Sequence, residues 1–377
     1  MVFFISNGMG TQKTTILVIV IILILGSIFY LDSKKNNSSG EKTQEIKITT
    51  LDSAKKEAIY IRAKEIDPTY GFINSEPFTL ANIIGKKVIL LDIWTYTCIN
   101  CQRTLPYING WYEKYKDQGL FIVGVHTPEF EFEKIRANVE KAVEQFGVRY
   151  PVVLDNDYKT WNAYGNRYWP RKYLIDIDGF VIYDHIGEGG YEETERIIQK
   201  LLTERKERLG DDVSVSLDML NPDGTEAITD GKPRSPEIYF GAWRNDTLGN
   251  GNVRQEGVQT FVLPKTLKTS VQYFEGDWNI TREYAESTKA GNKIVFKYEA
   301  AKVFMVASAE KPVRAKILID GKEAGERAGA DVDKDGYVIF QANQLYRLVE
   351  DPNGWDAHTL EIIPEGAGFE AFTFTFG

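Results

Sequence analysis

Residues 87 to 94, KVILLDIW, form a nearly continuous apolar run flanked by turn signals. A run of this kind has no polar face to offer to water, so it predicts a central strand covered on both sides. From Asn100 to Lys116 the spacing changes, with Leu105, Ile108, Trp111 and Tyr112 recurring at three- and four-residue intervals, which predicts a helix. Between them lie Cys98 and Cys101, the two cysteines of the chain. At such a strand-to-helix turn, unpaired backbone N–H groups and the positive end of the helix dipole both favour a thiolate. Cys98 is expected to attack. Cys101, one turn further in and shielded, is expected to resolve the mixed disulfide.

The cysteine count narrows the chemistry. Two cysteines three positions apart exclude a disulfide framework. A structural zinc site needs further ligands, and His126, His185 and His358 show no paired ligand spacing. Gln102, where a histidine would follow the second cysteine, removes covalent haem attachment. Redox exchange through Cys98 and Cys101 is what is left, with no cofactor beyond that disulfide and no metal. A net charge of -9 without a basic stripe argues against nucleic acid as a partner.

The pattern continues with strand 120–125, helix 131–146, strand 152–154, a short helix near 158–164, strands 172–176 and 180–185, and a helix from Tyr191 to about Arg205. Such alternation predicts an α/β sheet with helices on both faces. Upstream, eighteen uncharged residues separate Lys13 from Asp32. Residues 16–31 are expected to cross a bilayer once as a signal anchor, after a short tail (1–15) and before a flexible tether (32–50). A large domain following a single span places the α/β domain, 51–208, on the extracytoplasmic side of the cell membrane, although Lys34 and Lys35 do not favour export.

Residues 209–236 carry Asp, Gly and Pro as a linker does. Beyond them, 237–377 shows short strand-like segments at 270–274, 278–284, 293–299, 302–308, 313–319, 336–341 and 358–363, and no long helix. An all-β jelly-roll or β-sandwich is expected. Trp243, Trp278 and Trp355 offer faces for stacking on a sugar, but sandwich cores also use tryptophan, and core is the preferred reading. Asp331 to Gly336 resembles the start of a calcium loop, yet its twelfth position is Ala342 instead of a bidentate Glu, so an acidic turn is expected.

Four strings carry a family resemblance: WTYTCINCQRTLPY (94–107), VGVHTPEFEFEK (123–134), RYPVVLDNDYKTWNAYGNRYWPRKYLID (149–176) and GEGGYEETE (187–195). With them the chain resembles the thioredoxin superfamily in its extracytoplasmic TlpA/ResA-like branch, and most closely the carboxy-terminal region of DipZ-type proteins. That resemblance implies a thioredoxin-like fold followed by a carbohydrate-binding-like jelly roll. Asp92 matches the buried carboxylate beneath the redox pair, whose pKa burial should raise so that it shuttles the resolving thiol's proton. Pro106 matches the proline that kinks the active-site helix. Pro170 matches the cis-proline facing the disulfide; with Trp169 and Trp94 it is a candidate substrate-binding residue. His126 and Glu129, just past strand 120–125, are candidates for tuning Cys98. Arg103 could favour a thiolate electrostatically, but an exposed helix arginine needs no function.

The reading that follows is a membrane-anchored thiol-disulfide oxidoreductase acting on protein thiols and disulfides. DipZ-type proteins resemble a fusion with a multi-span electron-conducting domain, whereas one span is expected here, so a separate membrane electron donor or acceptor is implied. The β-domain leaves an envelope glycan open as a further ligand. A peroxiredoxin-like peroxidase is the rival, because Thr95 stands three residues before Cys98, but Leu91 occupies the position of that family's proline. A purely glycan-binding envelope protein is the third reading.

Overall fold

The computed structural model describes residues 53–223, 225 and 235–377. The tail, the apolar segment 16–31 and the tether lie outside the described residues. No described helix is long and apolar enough to cross a membrane.

The first half builds a six-stranded sheet from β1 (Phe72–Ile73), β2 (Val88–Trp94), β3 (Leu120–His126), β4 (Val152–Leu154), β5 (Arg171–Ile175) and β6 (Val181–Ile186), in the order β1-β4-β3-β2-β5-β6. Strands β2, β3 and β4 are parallel, and β1, β5 and β6 run against their neighbours. Every residue of β2 is buried, Asp92 included, as its nearly continuous apolar run predicts. Ile89, Leu91 and Ile93 pack on one face of the sheet with Leu80 of α2 (Leu80–Ile83). Leu90 and Trp94 pack on the other with Leu105, Ile108 and Trp111 of α3 (Ile99–Tyr115). Strand alternation therefore puts Asp92 on the α3 face.

The helix expected over 131–146 is divided in two. A 3-10 turn spans Glu131–Lys134, Ile135 is extended (φ -74, ψ 110), and α4 begins at Arg136 and ends at Gln145. The cause is local: the Glu133 carboxylate turns back to accept the N–H groups of Glu129 and Phe130, which closes the first turn on itself. The short α5 (Lys159–Ala163) and the long α6 (Tyr191–Leu209) complete this half. Ile198, Leu201 and Leu202 of α6 join α3 on the same face of the sheet.

The second half is all β among its described residues. Its strands are β7 (Ile238–Tyr239), β8 (Gly257–Phe261), β9 (Gln272–Ile280), β10 (Ala285–Ser287), β11 (Lys293–Glu299), β12 (Lys302–Ala309), β13 (Val313–Ile319), β14 (Lys322–Glu323), β15 (Tyr337–Phe340), β16 (Gln344–Glu350), β17 (Ala357–Pro364) and β18 (Phe369–Phe376). The two strands expected over 270–284 are one, β9. Its first residues pair with β11 and its last with β8 and β10, so it passes from one sheet to the other. The hinge is Gly276 (φ +89), where an added Cβ would lie 2.2 Å from Asn292 Oδ1. Trp278 is wholly buried in the core of this half, whereas Trp243 is 47% exposed between the guanidinium groups of Arg244 and Arg282. The acidic turn is held by Asp333, whose carboxylate accepts the N–H groups of Asp335 and Tyr337.

Asp52–Gly377 forms one compact unit. Phe304, Val306, Leu345 and Phe372 of the β half belong to the same buried cluster as α3 and α6. The Phe372 ring meets Phe130 at 5.1 Å and Phe132 at 4.9 Å, both near edge-on. The connecting segment is strapped down where it is described: Ser216 N–H donates to Gln118, Leu220 N–H donates to Glu195, and Val215 and Leu220 pack on the α/β core.

The start of the α/β half is pinned by a buried cation. Lys56, in α1 (Ser53–Glu57), is 1% exposed and donates to Asp176 at 2.7 Å, Asp178 at 2.8 Å and Glu204 at 3.1 Å. Removing one member of a buried ionic cluster leaves uncompensated charge, which costs about 3 kcal/mol or more. Lys56→Met is expected to lower the unfolding free energy by about that amount; an unchanged urea midpoint would show that the three carboxylates do not depend on it.

Candidate functional site

Strand β2 ends at Trp94, the chain turns through Thr95 to Thr97, and α3 begins directly after Cys98. Cys98 is the N-cap residue (φ -76, ψ 117), and its Sγ accepts the Cys101 N–H at 3.3 Å. One of the orphan donors of the helix is thus satisfied by sulfur, and the remaining helix dipole points at it. Cys98 is part-exposed and Cys101 is 1% exposed; both are free thiols. Burial holds the Cys101 pKa well above the ordinary thiol value, with the neighbouring Cys98 sulfur adding to the rise.

Beneath Cys101 lies a group of buried charges. Asp92, 1% exposed, has its pKa pushed up to about 6 by burial, against the opposing pull of the Lys172 ammonium. The two are register partners on β2 and β5, so their side chains share the α3 face of the sheet. Lys172 is 0% exposed, donates to Gly187 O at 3.1 Å and lies 5.7 Å from the Tyr191 ring. Burial lowers its pKa, while Asp92, Cys101 and Glu188 oppose that shift. Tyr150 is also buried, and burial raises its pKa, helped by Asp92 and Cys101. Lys172 and Tyr150 were not evident as site residues in the sequence. The signal for Lys172 was present: within strand 172–176 it shares the inward parity of Leu174.

The turn before Cys98 is clamped from behind. Glu133 is fully buried, and its carboxylate accepts Thr97 Oγ1 at 2.6 Å and Thr97 N–H at 3.3 Å besides the two bonds that close its own turn. Burial pushes its pKa up to about 7. His126 is buried and its pKa is lowered to about 3, so the ring is neutral. It stacks on Tyr96 at 5.8 Å, meets Trp94 edge-on at 5.3 Å and reaches Thr95 Oγ1 at 3.5 Å. His126 and Trp94 therefore sit in the packing behind the turn and not in the lining of the cysteine recess.

That recess has a volume of about 520 Å³ and opens over Cys98. Trp169 and Glu129 line it from the α/β half; Tyr239, Arg244, Thr373 and Phe376 line it from the β half. The Trp169–Pro170 peptide is cis, Pro170 is buried, and the Trp169 indole donates to Thr127 O at 3.0 Å. Glu129 accepts Tyr239 OH at 2.9 Å and Arg244 Nη1 at 2.7 Å, a contact across the two halves that has no trace in local sequence. Arg103, expected to be exposed, is instead half-buried, paired with Glu188 at 3.3 Å and lying over the Phe304 ring at 5.4 Å.

The Redoxin family matches residues 73–202, and the family described as thioredoxin-like C-terminal domain matches 235–377. Protein DipZ of Mycobacterium bovis is 35% identical over 320 residues, which is 84% of this chain and 43% of that protein, so the chain spans less than half the length of this relative. Thiol-disulfide oxidoreductase ResA of Bacillus thuringiensis is 31% identical over 133 residues, 33% of this chain and 74% of ResA. A solved thioredoxin-like protein in its oxidised form aligns with 38% of this chain and 97% of its own, at 25% identity and a TM-score of 0.36. The chain belongs to the thioredoxin superfamily, in the family of ResA, and is similar to DipZ over most of its own length.

Proposed function

We propose that this protein is an extracytoplasmic, membrane-anchored oxidoreductase that exchanges disulfides with protein substrates through Cys98-Ile99-Asn100-Cys101. The observation that supports it most is the division between two sulfurs one helical turn apart, one open to a recess and the other sealed over a buried carboxylate. Residues 16–31 would supply the anchor, and a separate membrane protein would supply or accept electrons.

The chemistry follows from that division. The Cys98 sulfur attacks a substrate disulfide, one substrate sulfur leaves as thiolate, and a Cys98–substrate mixed disulfide forms. Cys101, held protonated by burial, then gives its proton to the Asp92 carboxylate and attacks the Cys98 sulfur. The second substrate thiolate departs, the substrate has gained two electrons, and Cys98–Cys101 is a disulfide. Lys172 keeps a fraction of Asp92 ionised in a site that otherwise favours the neutral acid. A peroxidase reading gains nothing from Thr95, which is fully buried, with its hydroxyl next to His126.

Cys98→Ser is expected to abolish reduction of insulin, and Cys101→Ser to accumulate mixed disulfides visible on non-reducing gels. Insulin reduction by Cys98→Ser at the parent rate would refute the proposal.

Asp92 carries a pH signature. Its folded pKa of about 6 exceeds the ordinary value of 3.8, so the native state binds more protons than the unfolded chain across that window. The stability from protonated Asp92 is full at low pH and is lost as pH rises through about 6; Glu133, raised to about 7, acts with the same sign. Asp92→Asn is expected to shrink the fall in stability between pH 4 and pH 7.5 by ~2 kcal/mol. In stopped-flow measurements on a Cys98 mixed disulfide, resolution by the parent should rise with pH through about 6. The Asn variant should be about 100-fold slower, without that midpoint; a retained midpoint would assign the proton transfer elsewhere.

A further inference from the structure

The β half forms one side of the opening through which any substrate reaches Cys98. Of the residues around the recess, Glu237, Tyr239, Arg244, Val306, Thr373 and Phe376 come from it, facing Thr97, Cys98, Ile99 and Trp169. This wall is built in. Arg244 and Tyr239 are bonded to Glu129, the Arg244 guanidinium lies 3.6 Å from the Tyr239 ring, and Glu131 N–H donates to Glu283. On the other side of α3, Arg347 donates to Gln102, and Phe304, Val306 and Phe372 share the core that holds α3. The two sides therefore cannot separate without breaking a common hydrophobic cluster.

A recess of about 520 Å³ is of the size that encloses a small molecule or a short chain segment. A standard contact between two folded proteins buries roughly 800 Å² on each partner, laid against a broad face. Cys98 presents no such face, because one side of its surroundings is occupied by the β half. Resting on the disulfide-exchange reading, we infer that the β half acts as a substrate-selecting wall, admitting disulfides carried on narrow, unfolded peptide segments and rejecting those set in the surface of a folded protein. The segment enters extended between Trp169 of the α/β half and Tyr239 of the β half, aromatic side chains that both line the opening. Glu129, Glu237 and Arg244 supply polar partners for its backbone and side chains. The electron balance is that of the exchange already described: the segment's S–S bond breaks, its two sulfurs leave as thiols, and Cys98–Cys101 closes.

The test uses the full chain, pre-reduced and mixed in single turnover with three disulfides: a small aromatic disulfide, an unstructured peptide with one disulfide, and a folded protein with one surface disulfide of similar reduction potential. The peptide is expected to react at least 10-fold faster than the folded protein. Tyr239→Ala and Arg244→Ala, each checked for folding by thermal melt, are expected to narrow that ratio at least 3-fold by opening the wall. A parent that reduces the folded protein as fast as the peptide would overturn the inference, as would ratios unmoved in two folded variants. A parent that reduces the small disulfide but neither larger substrate would also overturn it, limiting the recess to small molecules. Failure with all three disulfides would instead refute disulfide exchange itself.

Discussion

The burial of one sulfur directly behind another is the constraint on which the site depends. Cys101 can be sealed only because α3 lies flat against β2, and α3 lies there because Leu105, Ile108 and Trp111 cover the apolar side chains of Leu90 and Trp94 on that sheet face. Cys98, one turn earlier, marks where the helix begins and so cannot be covered by the helix itself. Its exposure and its bond from the Cys101 N–H both follow from being the cap. The difference between the two thiols is thus a consequence of helix position and not of their immediate neighbours in sequence.

Charge in the core is the cost of making that difference useful. A carboxylate and an ammonium facing one another inside a sheet are expensive to desolvate, and their attraction repays this only in good geometry. The antiparallel register of β2 and β5 sets Asp92 against Lys172, and both face the buried sulfur. Neither group is in its ordinary state: the acid is held up and the base held down by the same loss of water. A carboxyl held up in this way, at about 6, can take up and release a proton closer to neutral pH than a solvated aspartate does.

The β half belongs to the site as well as to the fold. Its aromatic residues complete the hydrophobic cluster around α3, and its Tyr239 and Arg244 hold Glu129 at the mouth of the recess. Glu133 does the corresponding work from inside the α/β half, bracing Thr97 just before the reactive cysteine. The turn carrying Cys98 is in this way supported on two sides by groups that come from distant parts of the chain.

Local sequence settled what depends on near neighbours. The nearly continuous apolar run of β2, the helical spacing of α3 and the two cysteines at their junction specify a strand, a turn and a cap, because each is decided within a few residues. The periodicity of 131–146 predicts one continuous helix, and nothing in it shows the Glu133 side chain folding back to divide it. The long β9 was read as two strands, because Gly276 looks like a break when it is the point at which one strand changes sheets. Strand parity points Lys172 inward, and only the β2–β5 register sets it against Asp92; Tyr239 and Arg244 beside Cys98, and the half-burial of Arg103, are decided by tertiary structure alone. Each requires sheet register or domain packing to bring together residues far apart in the chain, and pairing energies of that kind leave no mark on composition or spacing.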